Sequence, residues 1–303
     1  MTSTLAIDWG TTSFRAYLLS DQGEIIEKRQ SANGILAVKY GQFSEMLMGQ
    51  VGDWMEAAPG APVVMSGMIG SRQGWREIDY VTGQPGVAEI AAGMGSVELA
   101  NGRRVWIAPG YSCINANGQV DVMRGEETQI VGASANVDSA QVYCLPGTHS
   151  KWASVADGRI TGFTTFMTGE VFDVLCTHSI LGKLMSDTAS NEQDAMKWFD
   201  EGVEKAKQGI PLLSGFFGVR ARALFSEIPE ENTKNYLSGL LIGAEIRDAY
   251  SGQPSEVTMI GSGHLIGLYG RAINAFGGSA VLADENLAAT GLFLLTQERE
   301  LKA

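Results

Sequence analysis

The chain has 303 residues and a formal net charge of −12, from 22 Lys and Arg against 34 Asp and Glu. Its length exceeds the usual single core, so two domains are expected. The acidic balance argues against a nucleic-acid partner, which needs a basic face.

Three cysteines, Cys113, Cys144 and Cys176, form no CxxC pair. That pattern suggests neither a disulfide frame nor a thiolate metal site, and it fits a reducing cytoplasm. No basic and apolar leader opens the sequence, and no run of about 18 apolar residues is present, so no membrane span is expected. Glycine is frequent, 38 residues, without a collagen period or a Gly/Ser tract, which fits many tight turns between short elements.

Residues 4–8, 13–19 and 24–29 read as three strands joined by turns at Trp9–Thr12 and Asp21–Gly23. Phe43, Met46, Leu47, Val51, Trp54 and Met55 recur at helical spacing over 42–58. A buried strand at 62–67, a helix at 87–94, a strand at 104–108 and a helix at 125–133 follow. Near Asn136 the order restarts: strands at 141–145, 150–156 and 159–166, with turns at 146–149 and 157–158. Helices are then expected at 170–185, 192–208, 215–227 and 232–250. A strand at 256–260, a helix at 263–275, a strand at 279–283 and a last helix at 286–300 end the chain. Two meanders, each followed by helices, predict an α/β protein divided into 1–136 and 137–303, with a ligand cleft between the halves. The last helix is a candidate to pack back on the first domain.

Five segments carry chemistry. In Asp8-Trp9-Gly10-Thr11-Thr12 an acid ends a buried strand and a Gly-Thr-Thr turn follows. Successive N–H groups of such a turn form an anion-binding nest, and Asp8 is placed to hold Mg²⁺ through water. Taken alone, it equally fits a plain hairpin whose Asp accepts turn N–H groups. Gly147-Thr148-His149-Ser150-Lys151 repeats the theme in the second meander. His149 there reads as a hydrogen-bonding turn residue rather than as a base. Gly261-Ser262-Gly263 joins a strand to a helix. It suits a nucleoside and α-phosphate, or, as a rival, a dinucleotide fingerprint with Asp284 on the following strand. No GxxxxGK[ST] motif occurs. Glu126 and Glu127 open a helix after Asp121 and Arg124. They are candidate proton acceptors, or acids that complement the helix dipole. In Ser71-Arg72-Gln73-Gly74-Trp75, with Tyr80 beyond, Arg suits a carboxylate, Gln hydroxyls and Trp a sugar face.

Together these segments resemble the sugar-kinase, heat-shock chaperone and actin superfamily, whose fold has two ribonuclease-H-like domains around an ATP cleft. More narrowly, DWGTTSFRAYLL, SGMIGSRQGW, MRGEETQIVG, LPGTHSKW and FTTFMTGEVFDVL resemble the 2-dehydro-3-deoxygalactonokinase family over the whole chain. The resemblance implies Mg²⁺- and ATP-dependent phosphorylation of the 6-hydroxyl of 2-dehydro-3-deoxy-galactonate, within galactonate breakdown. It implies Asp8, Gly10, Thr11, Thr12, Gly147, Thr148, His149, Ser150, Lys151, Gly261, Ser262 and Gly263 on the nucleotide and metal. It favours the Glu126–Glu127 pair for the base, and the lean is to Glu127. Ser71, Arg72, Gln73, Trp75 and Tyr80 are expected on the sugar acid, with Arg15 or Arg124 as further partners of its carboxylate. Glu170 and Asp173 are a substrate or hinge candidate. A cytoplasmic enzyme with small-molecule substrates is expected, and a homodimer is a candidate assembly. The rivals are a phosphohydrolase of the same fold and a nicotinamide enzyme.

Overall fold

The computed structural model describes residues 4–39, 41–135, 137, 139–186, 188–250, 256–261 and 263–301. The chain forms two compact units. Unit 1 comprises Met1–Ala140, Ala153–Phe163 and Asp284–Ala303, and unit 2 comprises Gln141–Trp152 and Thr164–Ala283.

Unit 1 is built on strands β1 (Thr4–Trp9), β2 (Phe14–Leu19), β3 (Ile25–Ser31), β4 (Val63–Ser66), β5 (Gly95–Glu98) and β6 (Arg104–Ile107). Their order across the sheet is β3-β2-β1-β4-β6-β5. β1 runs antiparallel to β2 and parallel to β4. It is therefore central, and every one of its residues is buried, as expected for a strand covered on both faces. Its two faces serve different layers. Leu5, Ile7 and Trp9 join the core under helix α1 (Phe43–Ala57), which buries Phe43, Leu47, Val51, Trp54 and Met55. Ala6 belongs to the opposite core, with Tyr17, Leu19, Val64 and residues of the C-terminal helix α9 (Leu287–Glu298). By the period of two, Asp8 lies on the Ala6 face. Helices α2 (Val87–Ala92) and α3 (Glu126–Ser134) pack on α9 on this side.

Unit 2 repeats the plan with β9 (Gln141–Leu145), β10 (Ser150–Ala156), β11 (Arg159–Phe166), β12 (Glu256–Met259) and β13 (Ser279–Leu282), in the order β11-β10-β9-β12-β13. With the edge strand β5 of the first sheet left out of the numbering, both units share the order 3-2-1-4-5. This duplicated order is that of the ribonuclease-H-like, actin-like ATPase fold. Helices α4 (Thr168–His178), α5 (Glu192–Lys207), α6 (Leu212–Leu224), α7 (Thr233–Ala249) and α8 (His264–Ala275) complete unit 2. α7 is its spine and is buried from Tyr236 to Ile246 at most positions. The outer part of the β10–β11 hairpin belongs to unit 1, where Arg159 donates to the Glu89 carboxylate at 2.8 Å and to the Gln84 carbonyl at 2.9 Å.

The structure departs from the sequence reading in three places. The edge strand β5 and a separate hairpin, β7 (Tyr111–Ile114) with β8 (Val120–Met123), were not expected. Both are short and half-exposed, too brief for a period-two pattern to stand out. The helix expected over 170–185 stops at His178, where the Ser179 hydroxyl donates back to the Leu175 carbonyl at 2.6 Å. The helix expected at 215 begins at Leu212, directly after Pro211, a residue suited to a helix start.

Candidate active site

Two groups of residues emerge, one in each unit. In unit 1 the β1–β2 hairpin closes at Gly10, whose N–H donates to the Ser13 carbonyl at 2.9 Å. Thr11 and Thr12 stand exposed at its tip. The following segment braces this turn: the N–H groups of Ile35 and Leu36 donate to the Gly10 and Thr11 carbonyls at 3.0 and 3.2 Å.

Asp8 is 8% exposed. Arg15, its cross-strand partner, approaches to 3.7 Å. Burial raises the Asp8 carboxyl above its ordinary value, Arg15 opposes this, and the charge of Glu126 adds to it. Asp8 therefore sits in a site that disfavours its own negative charge and would welcome a cation.

The Glu126–Glu127 segment reaches Asp8 through two glycines. A Cβ on Gly67 would lie 3.2 Å from Asp8 Oδ1, and one on Gly125 would lie 3.0 Å from the Gly67 Cα. Gly67 has φ +91° and Gly125 φ +109°, conformations costly for other residues. Gly125 turns the chain into α3 and puts the two acids in different places. Glu127 is fully buried, and the Gly125 N–H donates to its Oε1 and Oε2 at 3.0 and 2.8 Å. The Thr128 hydroxyl donates to Oε1 at 3.1 Å. Burial first and the Glu126 charge second push Glu127 up to about 8, against the pull of these donors. Glu126 is half-buried and accepts the Arg124 N–H at 3.0 Å.

The expected sugar-acid residues divide. Arg124 is 9% exposed. Its Nη2 donates to the Ile78 carbonyl at 2.7 Å, and its guanidinium lies 4.3 Å from the Tyr80 ring centroid. Its Nη1 faces Gly70, next to Ser71, and both Nε and Nη1 are buried without a hydrogen-bond partner. Arg72, in contrast, has an 87% exposed side chain that pairs with Glu77 at 3.5 Å. Gln73 is also exposed. Trp75 stacks on Phe43, with centroids 6.2 Å apart, at the margin of the α1 core. The Ser71 hydroxyl donates to the Met68 carbonyl at 2.7 Å.

In unit 2 the turn after β9 leaves Thr148 and His149 exposed. Ser150 is buried, and Lys151 folds back so that its Nζ donates to the His149 carbonyl at 3.0 Å. His149 also contacts the Glu170 carboxylate. Asp173 points outward on α4. α4 begins hard against the turn: a Cβ on Gly169 would lie 2.5 Å from the Gly147 carbonyl oxygen, and the Glu170 N–H donates to the Thr148 carbonyl at 3.0 Å. After β12, Gly261 and Gly263 adopt φ +152° and +76° and lead into α8, while Ser262 lies outside the described residues.

Beside this turn lies a cavity of about 240 Å³, lined by Gly147, Thr168, Phe172, Lys234, Asn235, Ser238, His264 and Tyr269, among others. Its α7 residues carry no local motif, and sequence reasoning missed them. Among the described residues no cluster of three or more His, Cys, Asp or Glu could hold a metal. No described helix is long and apolar enough to cross a membrane.

The family model for 2-keto-3-deoxy-galactonokinase matches residues 8–295. A protein of Rhizobium meliloti (strain 1021), assigned as a 2-dehydro-3-deoxygalactonokinase, is 37% identical over 94% of each chain. The 2-dehydro-3-deoxygalactonokinase of Escherichia coli (strain K12) is 36% identical over 90% of each. A crystal structure of a Sinorhizobium meliloti protein with the same assignment superposes with a TM-score of 0.88, covering 97% of this chain and 98% of the other at 35% identity.

Proposed function

The chain belongs to the 2-keto-3-deoxy-galactonokinase family, and from that premise we propose that it transfers the γ-phosphoryl group of ATP to the 6-hydroxyl of 2-dehydro-3-deoxy-D-galactonate, with Mg²⁺. It is a sugar-acid kinase, a phosphotransferase with an alcohol acceptor. The observation that carries the reading is the extent of the family match. It starts at Asp8 and runs through both Gly-Thr turns and the Glu126–Glu127 pair. No nicotinamide chemistry is needed for the Gly261–Gly263 turn. The first three strands of its parent sheet, β9, β10 and β11, are joined by short turns, which leave no room for the helical crossovers of a doubly wound dinucleotide domain.

In-line phosphoryl transfer asks a protein for positioning and charge neutralisation more than for covalent chemistry. In this reading the turns at Gly10–Thr12 and Gly147–Ser150 bind phosphate oxygens through backbone N–H and hydroxyl donors. The unit 2 cavity takes the adenosine. Asp8 would hold Mg²⁺ through water, and the metal would neutralise phosphate charge. The raised Asp8 pKa and the nearby Glu126 charge support a cation there. Glu127, held near 8, is the base that accepts the proton of the attacking hydroxyl. Arg124, with two unpartnered N–H edges, binds the substrate carboxylate, and Tyr80 and Ser71 flank it. A cytoplasmic location belongs to the reading and is supported by three free cysteines.

The test is ADP release coupled to a panel of 2-keto-3-deoxy sugar acids, with the product's phosphorylated carbon assigned by NMR. Mg-dependent turnover on the galactonate-derived acid, giving the 6-phosphate, is expected. Hydrolysis of ATP at the same rate without an acceptor would instead mark a phosphohydrolase.

A further inference from the structure

Among the described residues of unit 2, Glu245 is the one buried carboxylate, 3% exposed in the middle of α7. Two donors hold it from two other elements. Trp152 Nε1–H on β10 donates to Oε1 at 2.7 Å, and the Tyr269 hydroxyl on α8 donates to Oε2 at 2.6 Å. Burial raises its pKa, and its polar neighbours, Thr168 at the start of α4 among them, pull the other way. A carboxylate in such a place is a poor device for stability alone, because well-packed apolar residues commonly do as well or better. Its position points to another role, since Thr168 and Tyr269 both line the unit 2 cavity and Ser150 closes the turn beside it.

A hydroxyl has one proton. When Tyr269 gives its proton to Glu245, its oxygen is left with lone pairs, so this point of the cavity lining is a hydrogen-bond acceptor. We propose that Glu245 is a positioning residue that fixes the Tyr269 hydroxyl as an acceptor, so that the cavity selects a nucleotide presenting an N–H donor, such as the 6-amino group of adenine, over one presenting a carbonyl there. The inference rests on the nucleotide reading of the cavity. It adds a basis for choosing the base and assigns it to a residue that touches no part of the ligand.

Adenosine and inosine triphosphates probe the point, because they differ at the 6-position, amino against carbonyl, and at the adjoining N1, acceptor against N–H donor. Calorimetric titration and steady-state kinetics with ATP and ITP are to be compared for the wild-type chain and Glu245→Gln. The Gln amide has two donors of its own and must turn at least one hydroxyl round. The wild type should prefer ATP at least tenfold. Glu245→Gln should raise KM for ATP about tenfold or more and shrink the ATP/ITP ratio to within threefold of one, with KM for the sugar acid within twofold of normal. A purely structural residue would lower the melting temperature and leave that ratio alone. Should Glu245→Gln not fold, Tyr269→Phe keeps the carboxylate and deletes the acceptor, and it must lose the discrimination. A folded Glu245→Gln with the wild-type ratio, or Tyr269→Phe with that ratio, overturns the proposal. So does a wild type that binds ATP and ITP equally, an outcome that leaves the kinase reading intact. A wild type that turns over the sugar acid with no nucleotide binding overturns both.

Discussion

Gly67 and Gly125 meet backbone to backbone: a Cβ on Gly125 would lie 3.0 Å from the Gly67 Cα. This contact brings the start of α3 to the end of β1, and Glu127 and Asp8 with it. Gly125→Ala adds a methyl at that contact and at φ +109°. The expected cost is about 1–3 kcal/mol of stability. Turnover should fall by more than that loss explains, because the acids would be displaced. Urea unfolding together with kcat at a temperature where the variant is fully folded checks this. Wild-type kcat in the folded variant would show that the close approach does not matter for chemistry.

In the proposed reading Asp8 trades stability for function. Burial and Glu126 raise its pKa, so ionised Asp8 is held in the folded chain at a cost. Asp8→Asn removes the charge at constant size. The melting temperature of the ligand-free protein should stay level or rise, while kcat falls by roughly 10²–10³-fold, the scale for removing one charge-stabilising group. The extra stabilisation that Mg²⁺ adds to ATP in a thermal-shift titration should vanish. A variant that melts lower and turns over normally would contradict both halves.

The two acids of α3 give a pH signature. Glu127 has a folded pKa of about 8 against an ordinary 4.5. The folded chain therefore binds more protons than the unfolded one between those values. The stabilisation is fully present below about 4.5 and is lost as pH rises through about 8. The slope from this single group approaches about 1.4 kcal/mol per pH unit. Asp8, also raised, acts in the same direction. Glu127→Gln should flatten the pH dependence of unfolding free energy between pH 5 and 8, and Glu126→Gln, which removes only the smaller charge contribution to the same shift, should flatten it less. In kinetics, Glu127→Gln should lower kcat by about 10²–10⁴-fold with substrate affinities retained. Near-normal kcat in Glu127→Gln would move the base to Glu126 or elsewhere.

Much of this was legible in the sequence, for stateable reasons. An acid at the end of an all-apolar strand, followed by Gly-Thr-Thr, announces itself because the signal is local. So does the pair Glu126–Glu127 after a glycine. The restart near residue 137 gave the duplicated plan, because meander and helix order survive when letters diverge. What failed to show was long-range. Glu245 stands in Leu-Ile-Gly-Ala-Glu-Ile-Arg and reads as an ordinary helix acid, since its donors Trp152 and Tyr269 lie elsewhere in the chain. The cavity residues Asn235 and Ser238 are spaced like any polar pair on a helix. Arg72 stood ahead of Arg124 as the partner of the substrate carboxylate in the sequence, and burial separates them the other way.

That separation yields the last prediction. A substrate carboxylate needs a donor set that is held in place and unsatisfied without it. The Arg124 guanidinium is buried, fixed by the Ile78 carbonyl at 2.7 Å and the Tyr80 ring, with Nε and Nη1 lacking partners. Leaving charged donors buried and unpaired costs on the order of 1–3 kcal/mol or more, a penalty that an anionic ligand would relieve. The Arg72 side chain is in water and already pairs with Glu77 at 3.5 Å, so recruiting it would mean ordering a solvated side chain. Arg124→Lys keeps the charge but loses the planar fork. It should raise KM for the sugar acid by about tenfold or more, on the scale of a charge-assisted hydrogen bond, with KM for ATP within twofold of normal. Arg72→Lys should change either constant by less than threefold. Measuring both constants for both variants, and for the corresponding neutral sugar lacking the carboxylate, decides the matter. If Arg124 binds that carboxylate, Arg124→Lys loses the preference for the acid over the neutral sugar. The reverse pattern, with Arg72→Lys losing it and Arg124→Lys keeping it, would assign the carboxylate to the exposed loop instead.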